Sequence, residues 1–362
     1  MKILLLADGA SAHVQKWAIA LANSGVHIGV FTFNYSEKYW WANIPNLEML
    51  FQPDRKYVPS KLSTKLKYIT YLKKLKKVIK DFNPDIVHSH YASSYGLLGR
   101  LSGFKPYVIT AWGTDVMKFP FKNSINKKIL IANLKSANVV CASSYVTEEY
   151  IHKIVDLPIH VIPFGAECDK FSPGLEIDKD EITIGSIKSL EAIYRMDLLI
   201  ESFNKVQVLF PHKKLKLLIV GGGSLEASLK AKCDELGISK DVTFTGKIGR
   251  LEFIEQYIKM DVFCNLSDYE SFGVSIVEAM ACGVAVVATD SEGAKEIIVN
   301  ENLGTLVRVG DVEDVTRGIA KYVKDDTLRK STALNARQHV FTKYNWKGNV
   351  QEMIDVYTNL LK

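Results

Sequence analysis

The chain alternates short apolar runs rich in β-branched residues with longer amphipathic stretches. Apolar runs bounded by turn residues predict buried parallel strands, and the stretches between them predict connecting helices. The pattern therefore indicates an α/β protein. In the first half, the predicted strands are Lys2–Ala7, His27–Phe33, Leu47–Phe51, Asp85–His88, Tyr107–Ala111, Val139–Ala142 and His160–Pro163.

A second series of apolar runs follows residues 164–181, a stretch rich in Gly, Pro and charge that predicts an interdomain linker. We therefore expect two Rossmann-like domains in tandem around a central cleft, with ligands beyond the carboxyl ends of the strands. The predicted strands of this series are Ile182–Ser186, Lys216–Val220, Val242–Thr245, Val262–Asn265, Val284–Ala288 and Thr305–Val307.

Composition places the chain among ordinary globular proteins. Its 362 residues are 47% hydrophobic and 24% charged, which fits about two domains. The apolar start is too short for a signal peptide and continues into Asp8 and Gly9, and no apolar run approaches the ~20 residues that span a bilayer. Five cysteines without a C-x-x-C pair indicate neither a disulfide framework nor a zinc site. We expect a cytoplasmic protein.

The net charge of +6 is unevenly distributed, because Lys61–Lys80 contains eight lysines and no acid. Apolar residues recur there at three- and four-residue steps, which predicts an amphipathic helix with a lysine-coated outer face. Its apolar stripe most simply packs on its own domain. The lysines would be attracted to anionic lipid by ~1 kcal/mol each, which predicts contact with the inner face of a membrane. Nucleic acid is not an expected partner, because no nucleic-acid-binding motif accompanies the lysines.

The most informative chemistry lies in Tyr269–Asp290, where seven residues separate Glu270 from Glu278. The run predicts a loop, a short helix, a glycine break and a buried strand. A helix start directs unpaired N–H groups and a positive dipole end at a ligand, which favours phosphate, and Gly273 permits close backbone approach. Carboxylates on either side suit hydroxyl groups. The spacing alone would equally describe an exposed loop acid and a helix-start glutamate.

The surrounding letters closely resemble a known motif. Glu270, the Ser271–Gly273 turn, Glu278–Gly283 and Glu292–Glu296 are similar to the E-x7-E donor-site block of retaining GT-B glycosyltransferases of family 4, also called glycosyl transferases group 1. The resemblance extends over nearly the whole chain and is sharper in its second half. It implies two Rossmann-like domains and a last helix that crosses back to the first domain. The implied domains are 1–168 with 345–362, and 169–344.

The resemblance also implies roles for these residues. Glu278 would hold the nucleotide ribose, and Glu270 would contact the transferred sugar. Backbone amides near the turn would bind the sugar and the phosphates, which selects Phe272, Gly273, Val274 and Ser275.

Two further motifs of the second half match the family in part. By resemblance, Lys188 and Arg195 would neutralise the diphosphate as it leaves, although Tyr194-Arg195 stands where a Lys-Gly pair is usual. The glycine turn after Val220 would line the donor cleft, although glycines here equally predict only a tight turn. Its sequence fits neither G-x-G-x-x-G nor the Walker motif. The donor-binding residues implied by these and a neighbouring F-x-G-x-[VI] block are Gly221, Gly223, Lys247 and Ile248.

The first half matches the family less closely. Only Gly9 remains of a glycine pair that faces the donor and acceptor in relatives. Trp112 stands where many relatives have a histidine that contacts the sugar, which leaves Asp115 and His90 as the polar candidates for catalysis. His88 is interpreted as structural.

The sequence therefore predicts a retaining transferase that moves a sugar from a nucleotide-sugar, UDP-sugar favoured, to a glycan or lipid-linked acceptor in polysaccharide or lipopolysaccharide synthesis. No cofactor and no metal are expected, and the D-x-D of Asp178 and Asp180 is assigned to linker solvation. Two alternatives remain: a GT-B nucleotide-sugar epimerase, which would need acid–base residues over the sugar, and a non-catalytic sugar-nucleotide-binding subunit.

Overall fold

A computed structural model describes residues 1–36, 39–54, 70–171 and 181–362, without the side chains of residues 250 and 251. This part of the chain forms two compact units, Met1–Pro163 with Gly348–Lys362, and Phe164–Lys347. The divisions fall a few residues from those expected from the sequence. Each unit contains a parallel sheet with helical connections, which confirms the predicted pair of Rossmann-like folds.

The first unit is built on a seven-stranded parallel sheet in the order β3-β2-β1-β4-β5-β6-β7. The chain order reverses beside β1, so the loops after β1 and β4 leave the sheet at a topological switch point, where such folds bind ligands. The strands are β1 (Lys2–Leu6), β2 (His27–Phe31), β3 (Leu47–Phe51), β4 (Ile86–His90), β5 (Tyr107–Ala111), β6 (Val139–Ala142) and β7 (Ile159–Val161).

Both faces of the central part of this sheet are buried, since β4 and β5 have no exposed side chain. That burial explains the continuous apolar runs of the sequence. The described helices of the unit are α1 (Ala12–Asn23), α2 (Leu72–Phe82), α3 (Ser94–Ser102), α4 (Thr114–Met117), α5 (Ser124–Ser136) and α6 (Tyr145–His152).

The second unit is built on a six-stranded parallel sheet in the order β10-β9-β8-β11-β12-β13. Its strands are β8 (Glu181–Ile187), β9 (Lys214–Val220), β10 (Val242–Phe244), β11 (Val262–Asn265), β12 (Ala285–Thr289) and β13 (Thr305–Val307). Its helices are α7 (Met196–Leu209), α8 (Glu226–Glu235), α9 (Arg250–Tyr257), α10 (Val274–Ala281), α11 (Glu292–Ile297), α12 (Val312–Lys324) and α13 (Asp326–Lys343).

The last helix, α14 (Trp346–Leu360), begins in the second unit and ends in the first. Within the first unit, its Tyr357 hydroxyl lies 2.6 Å from Nδ1 of His88, and Asn349 donates to the Pro163 carbonyl at 2.7 Å. Both contacts are buried. The expected return of the last helix to the first unit is therefore confirmed.

The predicted lysine-coated helix is present where the structure describes it, as α2. Leu75 and Phe82 are buried on one side while the lysines of α2 are exposed, as an amphipathic pattern requires. Residues 61–69 of the prediction lie outside the described residues. Among the described helices, none is long and apolar enough to cross a membrane.

Candidate functional site

An ion pair lies at the carboxyl edge of the second sheet, where the neighbouring strands β8 and β11 end. Nζ of Lys188 is 2.7 Å from Oε2 of Glu270. The two side chains are only 12% and 19% exposed, so solvent screens the pair less than a surface pair. The structure thus brings together two residues that the sequence assigned to one site.

The contacts of Glu270 are concentrated on one of its oxygens. Oε2 also accepts from the Ser267 hydroxyl at 3.3 Å and from the Asn265 amide at 3.4 Å. No described residue donates to Oε1. That oxygen can therefore accept from a ligand hydroxyl while Oε2 holds the carboxylate in place.

The start of α10 lies beside this carboxylate. Asn265 links the two, because its amide is 3.4 Å from both Glu270 Oε2 and Ser275 Oγ. Gly273 precedes the helix with φ of 105°, a conformation that residues with a Cβ rarely adopt. The first N–H groups of a helix have no intrahelical partner, and those of Val274 and Ser275 belong to this set. The site therefore combines a cation, an acceptor oxygen and a helix start suited to an anion.

The ring of the predicted donor residue Phe272 is buried, so only its backbone is available to a ligand. The ring packs edge-on against Tyr344, with centroids 5.5 Å apart. The carbonyl of Glu270 also accepts from Gly293 at 3.0 Å. These contacts hold the turn in front of α10.

Glu278 lies within α10 and is 9% exposed. Its Oε2 accepts from the Tyr257 hydroxyl at 3.2 Å. Burial, followed by the charge of Glu278, raises the pKa of Tyr257 well above its usual value, so this hydroxyl keeps its proton and donates. Sequence reasoning missed Tyr257, because an isolated tyrosine at the end of α9 has no motif to mark it.

Arg195 stands before α7 in the left-handed region, with φ of 52°. Its guanidinium donates to both carboxylate oxygens of Asp197, at 3.2 and 3.3 Å, and to Asp268 at 3.2 Å. The hydrogen bonds to Asp197 are the main cause that raises the Arg195 pKa. A cation is thus fixed against the loop that carries Glu270, although two carboxylates already partner it.

The glycine turn after β9 has a structural role beyond the one expected. A Cβ on Gly221 would lie 2.0 Å from the Lys188 carbonyl oxygen, and one on Gly223 would lie 2.4 Å from that of Leu190. Lys188 N–H donates to the Val220 carbonyl at 3.0 Å. These glycines therefore allow the Lys188 loop to pack on the turn, which positions the lysine.

The loop after β10 carries the last two predicted donor residues of this unit. Lys247 is exposed, and its side-chain stem lies against Gly222. Ile248 is half-buried. Gly221 N–H donates to the Gly246 carbonyl at 3.1 Å, which joins this loop to the glycine turn. Their contact with a nucleotide base stays a prediction.

The other predicted residues belong to the first unit. His90 ends β4 and is buried, which lowers its pKa to about 3. Its ring centroid is 5.1 Å from that of Trp112, and Nδ1 has no hydrogen-bond partner among the described residues. Neighbouring His88 uses both nitrogens, toward Tyr357 and, at 2.7 Å, Thr110, so its structural interpretation is confirmed.

Asp115 organises the backbone around it, and its expected part in catalysis stays a prediction. Its fully buried carboxylate accepts from the N–H groups of Ala92, Gly113 and Trp112 at 2.6, 2.9 and 3.1 Å. Burial raises its pKa to about 6, although these donors favour the charged form. The contacts give Asp115 a positioning role.

Gly9 is held by the loops around it. Its N–H donates to Thr32 Oγ1 at 3.0 Å, and its carbonyl accepts from Trp40 at 2.9 Å and Gln15 at 3.1 Å. Within the described ranges, no cluster of three metal-ligating side chains occurs. Asp178 and Asp180 lie outside these ranges.

Comparison with known proteins defines the class. Over almost its whole length the chain shares the GT-B glycosyltransferase fold with sucrose-phosphate synthase from Thermosynechococcus elongatus, at a TM-score of 0.82, 21% identity and 99% coverage of each chain. The chain shares this fold also with Anabaena HepE in complex with UDP-glucose, at a TM-score of 0.78 and 18% identity. The match covers 99% of this chain and 100% of that chain.

Family models give the more particular assignment. The model described as Glycosyl transferases group 1 matches residues 168–339, and the one described as Glycosyl transferase 4-like matches residues 2–144. The protein belongs to the group 1 glycosyltransferases. Among its relatives, N-acetyl-alpha-D-glucosaminyl L-malate synthase of Bacillus anthracis is 25% identical over 304 residues, which cover 80% of this chain and 78% of that protein.

Proposed function

We propose that this glycosyltransferase moves a sugar, with retention of configuration, from a nucleotide-sugar to a glycan or lipid-linked acceptor in cell-surface polysaccharide or lipopolysaccharide synthesis. The observation that carries the proposal is the Lys188–Glu270 pair at the start of α10, with Glu278 in the same helix. A cation, a helix start and two carboxylates suit a molecule with an anionic centre and hydroxyl groups at both ends.

Each part of the donor has a partner in this arrangement. The ribose hydroxyls bind Glu278, which Tyr257 orients at 3.2 Å. The diphosphate lies over the start of α10 near Lys188 and Arg195. The transferred sugar donates to Oε1 of Glu270, the oxygen that no described residue uses.

The reaction breaks the bond between the anomeric carbon and the diphosphate oxygen. The electron pair remains on the nucleoside diphosphate, and an acceptor hydroxyl forms the new bond as it passes its proton to the released diphosphate oxygen. Stabilisation of leaving-group charge is often the largest catalytic contribution, and Lys188, Arg195 and the helix start supply it without a metal ion. His90, whose pKa is lowered to about 3, acts as a neutral hydrogen-bonding group rather than as a general base.

The donor base is proposed as uracil. HepE of Anabaena, which has this fold, is described in complex with UDP-glucose. The acceptor is proposed from the lysine run Lys61–Lys80, which would bring the enzyme to the cytoplasmic face of a membrane that carries lipid-linked glycans.

The proposal is tested by thermal shift and calorimetry with UDP-, GDP- and ADP-sugars. Binding to the folded state raises stability by mass action, so one nucleotide-sugar should stabilise the wild type and not the Glu278→Ala variant. Glu301→Ala is the control, because Glu301 is 90% exposed in the same unit. No response to any nucleotide-sugar contradicts the proposal. Release of a free isomerised sugar without acceptor identifies an epimerase, and binding without turnover on many acceptors identifies a non-catalytic subunit.

A further inference from the structure

One segment of the first unit combines exposed apolar side chains with several lysines. Between Asp115 and Glu148 the sequence has five lysines and no acid. Phe121 is 57% exposed and Ile125 is 67% exposed, although both are large apolar residues. The lysines are all exposed: Lys118, Lys122, Lys127, Lys128 and Lys135. This segment is separate from the lysine run in Lys61–Lys80.

Three of the exposed groups share one face of α5. Ile125, Lys128 and Lys135 follow steps of three and seven residues, which places them on one side of a helix. Leu130 and Leu134 are buried on the other side. The outer face of α5 therefore presents apolar and cationic groups together.

The turn that displays Phe121 is held firmly. Met117 and Pro120 are buried beneath it. The Asn126 amide donates to the Phe119 carbonyl at 3.2 Å, and Asn123 caps α5 by accepting from the Asn126 N–H at 2.9 Å. The exposure of Phe121 is therefore a property of an ordered turn and not of a frayed chain end.

The apolar surface continues onto α6. The Phe121 ring centroid lies 6.3 Å from that of Tyr150. Among the acids of this helix and the turn after it, Glu148 and Asp156 lie 3.9 and 3.8 Å from the ring nitrogens of His152, and Glu149 is exposed.

We propose that Phe121, Ile125, Lys128 and Lys135, together the α5 surface, bind an anionic lipid surface. An anionic leaflet attracts the lysines, and the two apolar side chains enter the headgroup region, which a soluble polyanion does not offer. The inference rests on the proposed function through the lipid-linked acceptor, which such binding would bring within reach.

The test is cosedimentation of the full chain with vesicles of phosphatidylcholine, with and without phosphatidylglycerol. We expect binding only to the anionic vesicles. The Phe121→Ser/Ile125→Ser variant should lower partitioning by roughly a hundredfold, or about tenfold for each apolar side chain withdrawn from the lipid. Val208→Ser/Leu209→Ser is the matched control, because these residues are 73% and 58% exposed in the second unit.

Three results would overturn the proposal: no binding to anionic vesicles, an equal loss in the matched control, or a loss confined to a Lys73→Gln/Lys76→Gln/Lys80→Gln variant of α2. Donor binding is measured separately, by thermal shift with UDP-sugars without vesicles. A chain that binds vesicles through the α5 surface but no nucleotide-sugar supports this inference and contradicts the proposed function. A chain that binds a nucleotide-sugar but no vesicle supports the proposed function and contradicts this inference.

Discussion

Replacement of Lys188 by Ala removes the cation that lies 2.7 Å from Glu270 at the edge of the second sheet. Exposed ion pairs contribute about 0–1 kcal/mol to stability, whereas loss of one partner of a buried pair costs about 3–5 kcal/mol. The side chains are 12% and 19% exposed, and Ser267 and Asn265 still donate to the remaining carboxylate. We therefore expect the free energy of unfolding to fall by about 2 kcal/mol.

The effect on catalysis should be larger than the effect on folding. A group that stabilises charge formed only in the transition state raises kcat, and removal of one such donor typically costs about 10²–10³ in rate. The variant should therefore remain folded while kcat falls by roughly that factor, and KM should change little. The assay follows nucleoside diphosphate release under saturating donor, with urea unfolding measured on the same preparation.

The matched control is Lys205→Ala, which removes a pair of similar length, 2.8 Å to Glu313, whose side chains are 47% and 65% exposed. Its stability should change little, because solvent screens an exposed pair, and its kcat should equal that of the wild type. The reasoning is refuted if Lys188→Ala retains wild-type kcat, or if both variants lose the same activity.

Three further substitutions test individual contacts. Tyr257→Phe removes a donor to the buried Glu278 and should cost about 1.5–3 kcal/mol of stability in urea unfolding, together with weaker nucleotide-sugar binding by calorimetry. Gly221→Ala places a Cβ against backbone at a φ of 132° and should destabilise by more than about 2 kcal/mol, whereas Gly237→Ala, with open space at a φ of 70°, should cost only about 1 kcal/mol. Asp115→Asn tests the titration of this buried carboxyl group. The pKa of Asp115 is raised from its ordinary 3.8 to about 6 in the folded protein, so between these pH values the native state binds a proton that the unfolded state has lost. Wild-type stability should therefore fall by up to about 3 kcal/mol as pH rises from 4 to 6, and the variant should lack this slope in urea unfolding. The titration argument is contradicted if wild type and Asp115→Asn show the same dependence of stability on pH. The packing argument is contradicted if Gly221→Ala and Gly237→Ala destabilise equally, and the Glu278 argument if Tyr257→Phe binds the nucleotide-sugar as tightly as the wild type.

The apolar runs of the sequence identified every strand of both sheets, because a strand buried on both faces is a continuous apolar segment between turns. Their ends were less accurate. The strand expected at Asp85–His88 runs from Ile86 to His90, since Ser89 and His90 are polar and yet buried. There, tertiary packing determined the strand end rather than the local hydrophobic pattern. Tertiary packing likewise brings backbone N–H donors to Asp115, which the spacing of residues in the sequence does not predict.

The sequence by itself determined the fold class and the short-range part of the site, namely Glu270, Gly273 and Glu278, because one turn and one helix hold these residues at their spacing. Only the tertiary structure decided the long-range part. Lys188 lies 82 residues from Glu270 in the chain, and Tyr257 lies 21 residues from Glu278. The Lys188 contact depends on the placement of β8 beside β11, and the Tyr257 contact on the packing of the helices on either side of β11. The order of strands in a parallel sheet follows from the packing of the whole domain rather than from any local periodicity.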